Sequence, residues 1–439
     1  MKFVAAAAIA AVAVVIPSAP VSAQVGNPAT PTVGRPITMP VGPPAPIRPI
    51  TVEPRTGPLP SSLTLAQALD EAAARSPAVV AAERDVAGAE ARVRQAGYRN
   101  NPELILEVEN VAGSGELRGL SRMETTLAVN QRLDLGGRRS ARVDAALANL
   151  VLQKLRLAIA RADLAQSVRE QFARAIASRD RLEQADDSLA WAKELARVAG
   201  LLVDAGREPP LRAMRARSAL AQSEAAREAA EADELAARSS LAALFGVSTP
   251  VTSVAGSVLD LVPKQVATDA SLDVKLADAE RAVAQAELRQ QQVERRLDPA
   301  VGVGVRHIRE TGDVGIVGGI SMPLSVFDNN RGNITAAHQG LAAAEARRAG
   351  VLASTTARAR NAIAAVEAAQ RRVIALEKAA IPEGAEALRL AQRSYEEGRA
   401  TLLELLDARN AYTAAQTQLT EARLELALAT AELGRISAQ

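Results

Sequence analysis

Few side chains here could do chemistry. Histidine occurs twice, as His307 and His338, and cysteine not at all. A transition-metal cage needs several nitrogen or thiolate ligands converging on one point, and two isolated histidines do not supply them. Both are read as ordinary polar positions. No catalytic constellation is found, so the chain is not expected to be an enzyme or to hold a cofactor or a metal. What remains is charge at helical spacing. Glu404 and Asp407 stand at i and i+3, which puts both carboxylates on one helix face just after Gly398. Arg212 and Arg215 repeat that spacing just after Gly206. The plain alternative is a solvated charged face, since an exposed ion pair contributes only about 0–1 kcal/mol.

Hydrophobic period shows which elements carry these residues. Thr64 is a helix N-cap ahead of Leu65, Ala68, Leu69 and Ala72, and Pro77 opens a second helix that ends near Gly97. The period then drops to two. Leu104, Leu106 and Val108 alternate with Ile105, Glu107 and Glu109, and after a glycine-rich turn Thr125, Leu127 and Val129 alternate with Thr126, Ala128 and Asn130. From about Arg138 the chain is helical again, with Leu150, Leu157, Leu164, Val168, Phe172 and Ile176 forming a coiled-coil seam. A break at Asp204–Pro210 precedes a return helix to about Phe245.

The second half runs through the same order. A helix over Ala277–Leu297 precedes alternating Val301, Val303 and Val305, then Val314, Ile316 and Ile320. The strand is expected to end over Phe327–Arg331, and a long helix then runs toward Pro382 and Gly398. Gly206-Arg207, Leu211 and Ala216-Arg217 match Gly398-Arg399, Leu403 and Ala408-Arg409 at a constant offset of 192 residues. That offset sets Arg212 and Arg215 against Glu404 and Asp407.

Lys2, the apolar run Phe3–Ile16 and the small residues before Ala23 form a secretory signal peptide over 1–23. Residues 24–60 hold half of the chain's 22 prolines and form a flexible tail. A first repeat unit over 61–250, a linker over 251–270 and a second unit over 271–439 complete the layout. No later segment has the 18 consecutive apolar residues of a membrane-spanning helix. With 52 basic against 50 acidic residues, nothing suggests a nucleic-acid partner. Only 2% of residues are aromatic. Alanine-rich, charge-balanced sequence of helical period points to long, closely packed helices. The fold class is mainly α with a small β part.

Two strands per unit give four per chain, too few for a closed barrel, and an open sheet leaves raw edges in lipid. Several chains must share one barrel. The residues Asn101-Pro102-Glu103-Leu104, Glu107-Val108-Glu109-Asn110, Leu133-Asp134-Leu135-Gly136-Gly137-Arg138-Arg139, and Tyr395–Gly398 with Leu405–Arg409 resemble the TolC-type outer-membrane efflux proteins, above all the heavy-metal (cobalt-zinc-cadmium type) resistance branch. The resemblance covers about 61–434. It implies a homotrimer in outer-membrane lipid, with a twelve-stranded β-barrel continued by a periplasmic α-helical barrel. It also implies a periplasmic adaptor (membrane fusion protein) and an inner-membrane pump of the resistance-nodulation-division type. Two features depart from the pattern: the strands carry almost no aromatic girdle, and there is no cysteine for a lipid anchor.

In the resembling proteins, acidic residues at the positions of Glu404 and Asp407 line the narrowed periplasmic entrance. The expectation is that these acids pair with Arg212 and Arg215 on neighbouring helices and hold the entrance closed until an adaptor shifts them. Gly206, Arg207, Gly398 and Arg399 are the expected adaptor-contact tips. A duct of the same build for drugs or secreted proteins is one alternative, and a periplasmic coiled-coil structural or adaptor protein with no channel is another.

Overall fold

The computed structural model describes residues 57–257, 271–324 and 326–437. The expected signal segment, most of the proline-rich stretch and residues 258–270 of the linker lie outside them.

Helix α1 (Leu65–Arg75) begins in a capping box. The Thr64 hydroxyl accepts from the Gln67 amide, and the Gln67 side chain accepts from the Thr64 amide at 3.0 Å. Pro77 opens α2 (Pro77–Ala96), where its missing N–H costs nothing. Strands β1 (Glu103–Glu109) and β2 (Glu124–Arg132) follow, then α3 (Arg138–Asp204) and α4 (Pro210–Leu244). The second pass gives α5 (Leu272–Glu294), β3 (Ala300–Ile308), β4 (Asp313–Ser321), α6 (Arg331–Ala375), α7 (Ile381–Glu396) and α8 (Leu402–Ile436). Helix α3 alone has 67 residues, about 100 Å of rise.

The four strands form one antiparallel sheet in the order β1-β2-β3-β4. Helices α2, α3, α5 and α6 pack as consecutive neighbours, so the helical wall keeps the order of the strands. The joint between wall and sheet is built by paired arginines. Arg138 donates to the Glu294 and Arg296 carbonyls at 2.6 and 2.7 Å, closing the end of α5, and Arg139 donates to the Gly97 carbonyl at 2.7 Å, closing the end of α2. Buried Asp298 lies 3.1 Å from Arg138. Both long helices start from a left-handed residue, Gly137 in one copy and Asn330 in the other.

Two details differ from the sequence reading. Strand β4 ends at Ser321, well before Phe327, because Pro323 cannot donate to a ladder. The second long helix is broken by a π turn at Leu376–Ala380, immediately before Pro382. Proline has no N–H for the i−4 carbonyl, and a widened turn absorbs that loss. Copy one has no such break.

The main core joins α1, α3, the end of α4 and α8 around Phe172, Ile176, Leu241 and Phe245, with Ala173, Ala175 and Ala177 fully buried. Small side chains let the helix axes approach around these few large ones. At the start of α5, Arg435 of α8 bridges Asp163 of α3 and Asp273 of α5, and Asp273 also accepts from Arg358 of α6 at 2.7 Å. Burial works to raise the Asp273 carboxyl, but the two guanidiniums outweigh it and hold it below the usual range.

Phe172 is 1% exposed, so Phe172→Ala should cost about 3–5 kcal/mol through the cavity it leaves. A lowered midpoint in guanidinium unfolding monitored by far-UV circular dichroism would register this. An unchanged midpoint would mean that the core lies elsewhere.

Candidate functional site

The two helix reversals are built alike. At the first, the Gly206 amide donates to Val203 and the Arg207 amide to Leu202, both at 2.9 Å. At the second, Gly398 donates to Tyr395 at 3.0 Å and Arg399 to Ser394 at 2.8 Å. This is the same Schellman closure twice, at the 192-residue offset. Gly206 and Gly398 have φ of 69° and 72°, the left-handed region that glycine occupies without a Cβ penalty. Helices α4 and α8 then start at equivalent positions, Pro210 and Leu402.

Beyond the turns the copies diverge. Thr401 caps α8 in a full capping box: the Glu404 carboxylate accepts from the Thr401 amide at 2.6 Å and from its hydroxyl at 3.0 Å. These two hydrogen bonds hold the Glu404 carboxyl below the usual range. Sequence reasoning took Glu404 for its charge and missed the cap, although Thr-x-x-Glu ahead of a helix is its signature. The equivalent residue, Arg212, stands in the first turn of α4, where a positive charge opposes the helix dipole, and it pairs with Glu208. Within one chain, therefore, Glu404 and Arg212 each have a partner in their own tip. Arg215 and Asp407 are exposed. Arg399 lies 3.2 Å from Glu397, and Arg207 is exposed.

The two tips meet through Tyr395. Burial and the nearby Glu208 carboxylate push its phenol above the usual range, with Arg212 acting the other way. Behind it, Leu195, Ala199, Ala216, Leu388, Leu402 and Leu405 form a small core joining α3, α4, α7 and α8. Leu211 and Leu403, again equivalent, remain 58% and 61% exposed. Farther up, the Arg409 guanidinium stacks 5.4 Å from the centre of Trp191 and donates to the Ser188 hydroxyl at 3.4 Å. Burial lowers its pKa, against the pull of Asp187.

At the other end, the sheet register sorts side chains by face. One face carries Leu104, Leu106, Leu127, Val129, Val303, Val305 and Ile316, with His307 opposite Thr125 and Val314 at its rim. The opposite face carries Glu103, Glu107, Glu109, Glu124, Asn130 and Arg306. His338 is exposed on α6. Among the described residues no three metal-ligating side chains converge, and no helix is long and apolar enough to cross a membrane.

Residues 68–247 and 265–439 match the family described as outer membrane efflux protein. The chain is 32% identical over 286 residues to the nickel-cobalt-cadmium resistance protein NccC of Alcaligenes xylosoxydans xylosoxydans, a match covering 64% of each chain. It therefore spans slightly less than two thirds of that relative. Over an equal length it is 34% identical to the nickel and cobalt resistance protein CnrC of Cupriavidus metallidurans, covering 64% of this chain and 68% of the relative. In structure it resembles the outer membrane protein VceC of Vibrio cholerae, with a TM-score of 0.70 at 20% identity, covering 85% of this chain and 96% of the other.

The lowered Glu404 carboxyl gives the cap a defined pH range. A carboxyl depressed in the folded chain contributes its full stabilisation above the ordinary value of 4.5 and loses it as pH falls through the lower folded value. Exchange of the Thr401 amide, followed by hydrogen–deuterium mass spectrometry, should stay protected down to below that ordinary value. Glu404→Gln, whose amide oxygen can still accept, should keep protection at neutral pH, and Glu404→Ala should lose it.

Proposed function

The chain belongs to the outer membrane efflux protein family, and from that premise we propose that it is the outer-membrane duct of a pump exporting divalent heavy-metal cations. It is an efflux channel of the outer membrane with a helical extension in the periplasm. The metal assignment is supported by the relatives: both curated proteins described above are resistance proteins for nickel and cobalt, one also for cadmium. The residues of the duct itself do not choose between metals, and no binding cage is needed for passage.

The assembly is a homotrimer. Three copies of the four-stranded sheet close a twelve-stranded barrel, which leaves no unpaired edge in lipid. A periplasmic adaptor and an inner-membrane pump of the resistance-nodulation-division type complete the path. The tips at Gly206-Arg207 and Gly398-Arg399 are the adaptor contacts. Their identical closures and the exposed Leu211 and Leu403 support this, since a helix end with an uncovered leucine suits a second helical tip. A secretory signal over residues 1–23 directs export, and the two repeat units at 61–250 and 271–439 each contribute two strands and one helical hairpin.

Entrance control falls to Glu404, Asp407, Arg212 and Arg215. Arg215 and Asp407 are exposed and available to a neighbouring chain, whereas Glu404 and Arg212 must exchange their present partners, Thr401 and Glu208, to pair across. Closure therefore competes with two local contacts.

Two measurements test this reading. Deleting the gene should sensitise cells to nickel, cobalt, zinc and cadmium. Complementation with Arg207→Glu/Arg399→Glu should restore less resistance than the parent protein at equal outer-membrane abundance. Sensitivity to drugs alone would overturn the metal assignment. In planar bilayers, Glu404→Gln/Asp407→Asn should raise single-channel conductance, because glutamine can keep the cap while the entrance loses its charge. Unchanged conductance would remove these acids from the gate.

A further inference from the structure

Arg306 occupies a position the transport reading does not use. In the barrel the apolar sheet face meets lipid, so the opposite face lines the lumen. Its rungs run Glu103–Asn130–Gly302–Gly319, Ile105–Ala128–Gly304–Val317, Glu107–Thr126–Arg306–Gly315 and Glu109–Glu124–Ile308–Asp313. Below them Arg132 pairs with Ala300. Five carboxylates (Glu103, Glu107, Glu109, Glu124, Asp313) thus face two guanidiniums (Arg132, Arg306), a net of three negative charges per chain.

The distribution is uneven. Arg306 on β3 reaches across β2 to β1: its Nε donates to the Thr126 hydroxyl at 2.9 Å, one terminal nitrogen lies 3.0 Å from Glu124, and the other lies 3.2 Å from Glu109. One cation thereby occupies two carboxylates. Among the described residues, Glu103 and Glu107 have no such partner. The facing positions on β3 and β4 are mostly glycine, so little side chain stands between these two acids and the lumen. Gly304 is required, since a Cβ there would fall 2.6 Å from the Leu127 carbonyl oxygen and 2.6 Å from the Ala128 Cβ.

We propose that Arg306 is the residue that sets the charge selectivity of the barrel lumen, by masking Glu109 and Glu124 and leaving Glu103 and Glu107 to favour cations. Rings of fixed charge in a narrow aqueous pore enrich the opposite ion and exclude the like one. An unmasked set of carboxylates would hold divalent cations where they must leave. Clamped by Arg306, the face keeps a cation preference without a tight cluster of acids. This rests on the duct reading but not on the metal assignment.

The test is the reversal potential of the purified trimer in planar bilayers under a potassium chloride gradient. To keep the entrance acids from dominating, each variant is also measured with Glu404→Gln/Asp407→Asn. The parent channel should prefer potassium. Arg306→Gln should raise the potassium-to-chloride permeability ratio roughly twofold, and Glu103→Gln/Glu107→Gln should lower it by a similar factor. Arg306→Lys, which keeps the charge but not the fork, should stay near the parent. The differences should shrink in 1 M salt, where the screening length falls to about 3 Å. Should Arg306→Gln fail to assemble, the glutamate pair, which carries no contact to the arginine, still decides the question. An unchanged ratio in that pair, or in an assembled Arg306→Gln, overturns the proposal. A cation-selective channel whose deletion sensitises cells only to drugs would leave it standing and remove the metal assignment instead.

Discussion

A backbone amide or carbonyl in hydrocarbon must find its partner within protein, and this sheet has two edges, β1 and β4, that do not. Leu104, Ile316 and Ile320 are largely uncovered in the single chain. An apolar face that wants lipid and edges that cannot tolerate it are compatible only when another chain supplies the missing ladder. The rest of the architecture follows from that need. Each copy of the repeat brings one hairpin of strands, the hairpins pair through β2 and β3, and the helices behind them keep the same lateral order. A wall laid down in that order can pass from sheet to helix without crossing itself.

The joint is where two incompatible spacings meet. Strands in a sheet lie about 4.8 Å apart and packed helices about 8–10 Å, so each helix must leave its strand at an angle. Arg138 and Arg139 fix that departure. Adjacent in sequence, they point to opposite neighbours and cap α5 and α2, while Asp298 offsets the charge of Arg138 in a buried setting. In the second copy the left-handed residue is Asn330, whose side-chain Nδ2 donates to the Gln291 carbonyl of α5. Both solutions tie the start of a long helix to the end of a short one, by different side chains.

Much of this was legible in the sequence because period is a local property. The change from 3.6 to 2 at Glu103 and at Val301, the cap at Thr64 and Pro77 at a helix start all depend on a few consecutive residues. The tips could be matched by their offset for the same reason. What escaped depends on register or on competition between roles. Arg306 looks like one charged residue in an alternating strand until Glu109 and Glu124 are set beside it, and their pairing spans three strands. Glu404 was legible as a charge and equally legible as the fourth residue of a capping box, and spacing alone did not rank the two. The π turn before Pro382 reflects how one helix accommodates a missing donor, which pattern does not encode.

The duplication is most informative where it fails. Position three of the return helix holds Glu404 in one copy and Arg212 in the other, on turns closed by the same two backbone bonds. A carboxylate there agrees with the helix dipole and satisfies two donors of Thr401; a guanidinium opposes the dipole and needs Glu208 to hold it. Helix stability alone would have favoured the acid in both copies. The arginine therefore stands against local preference, and Glu208 is the compensation beside it. A residue that a helix end does not want, paired with a neighbour that makes it tolerable, is best explained by a contact the single chain does not contain. In the proposed ring of alternating copies, Arg212 and Arg215 of one return helix would come beside the acids of the next, and such an alternation needs the two halves to differ at this turn.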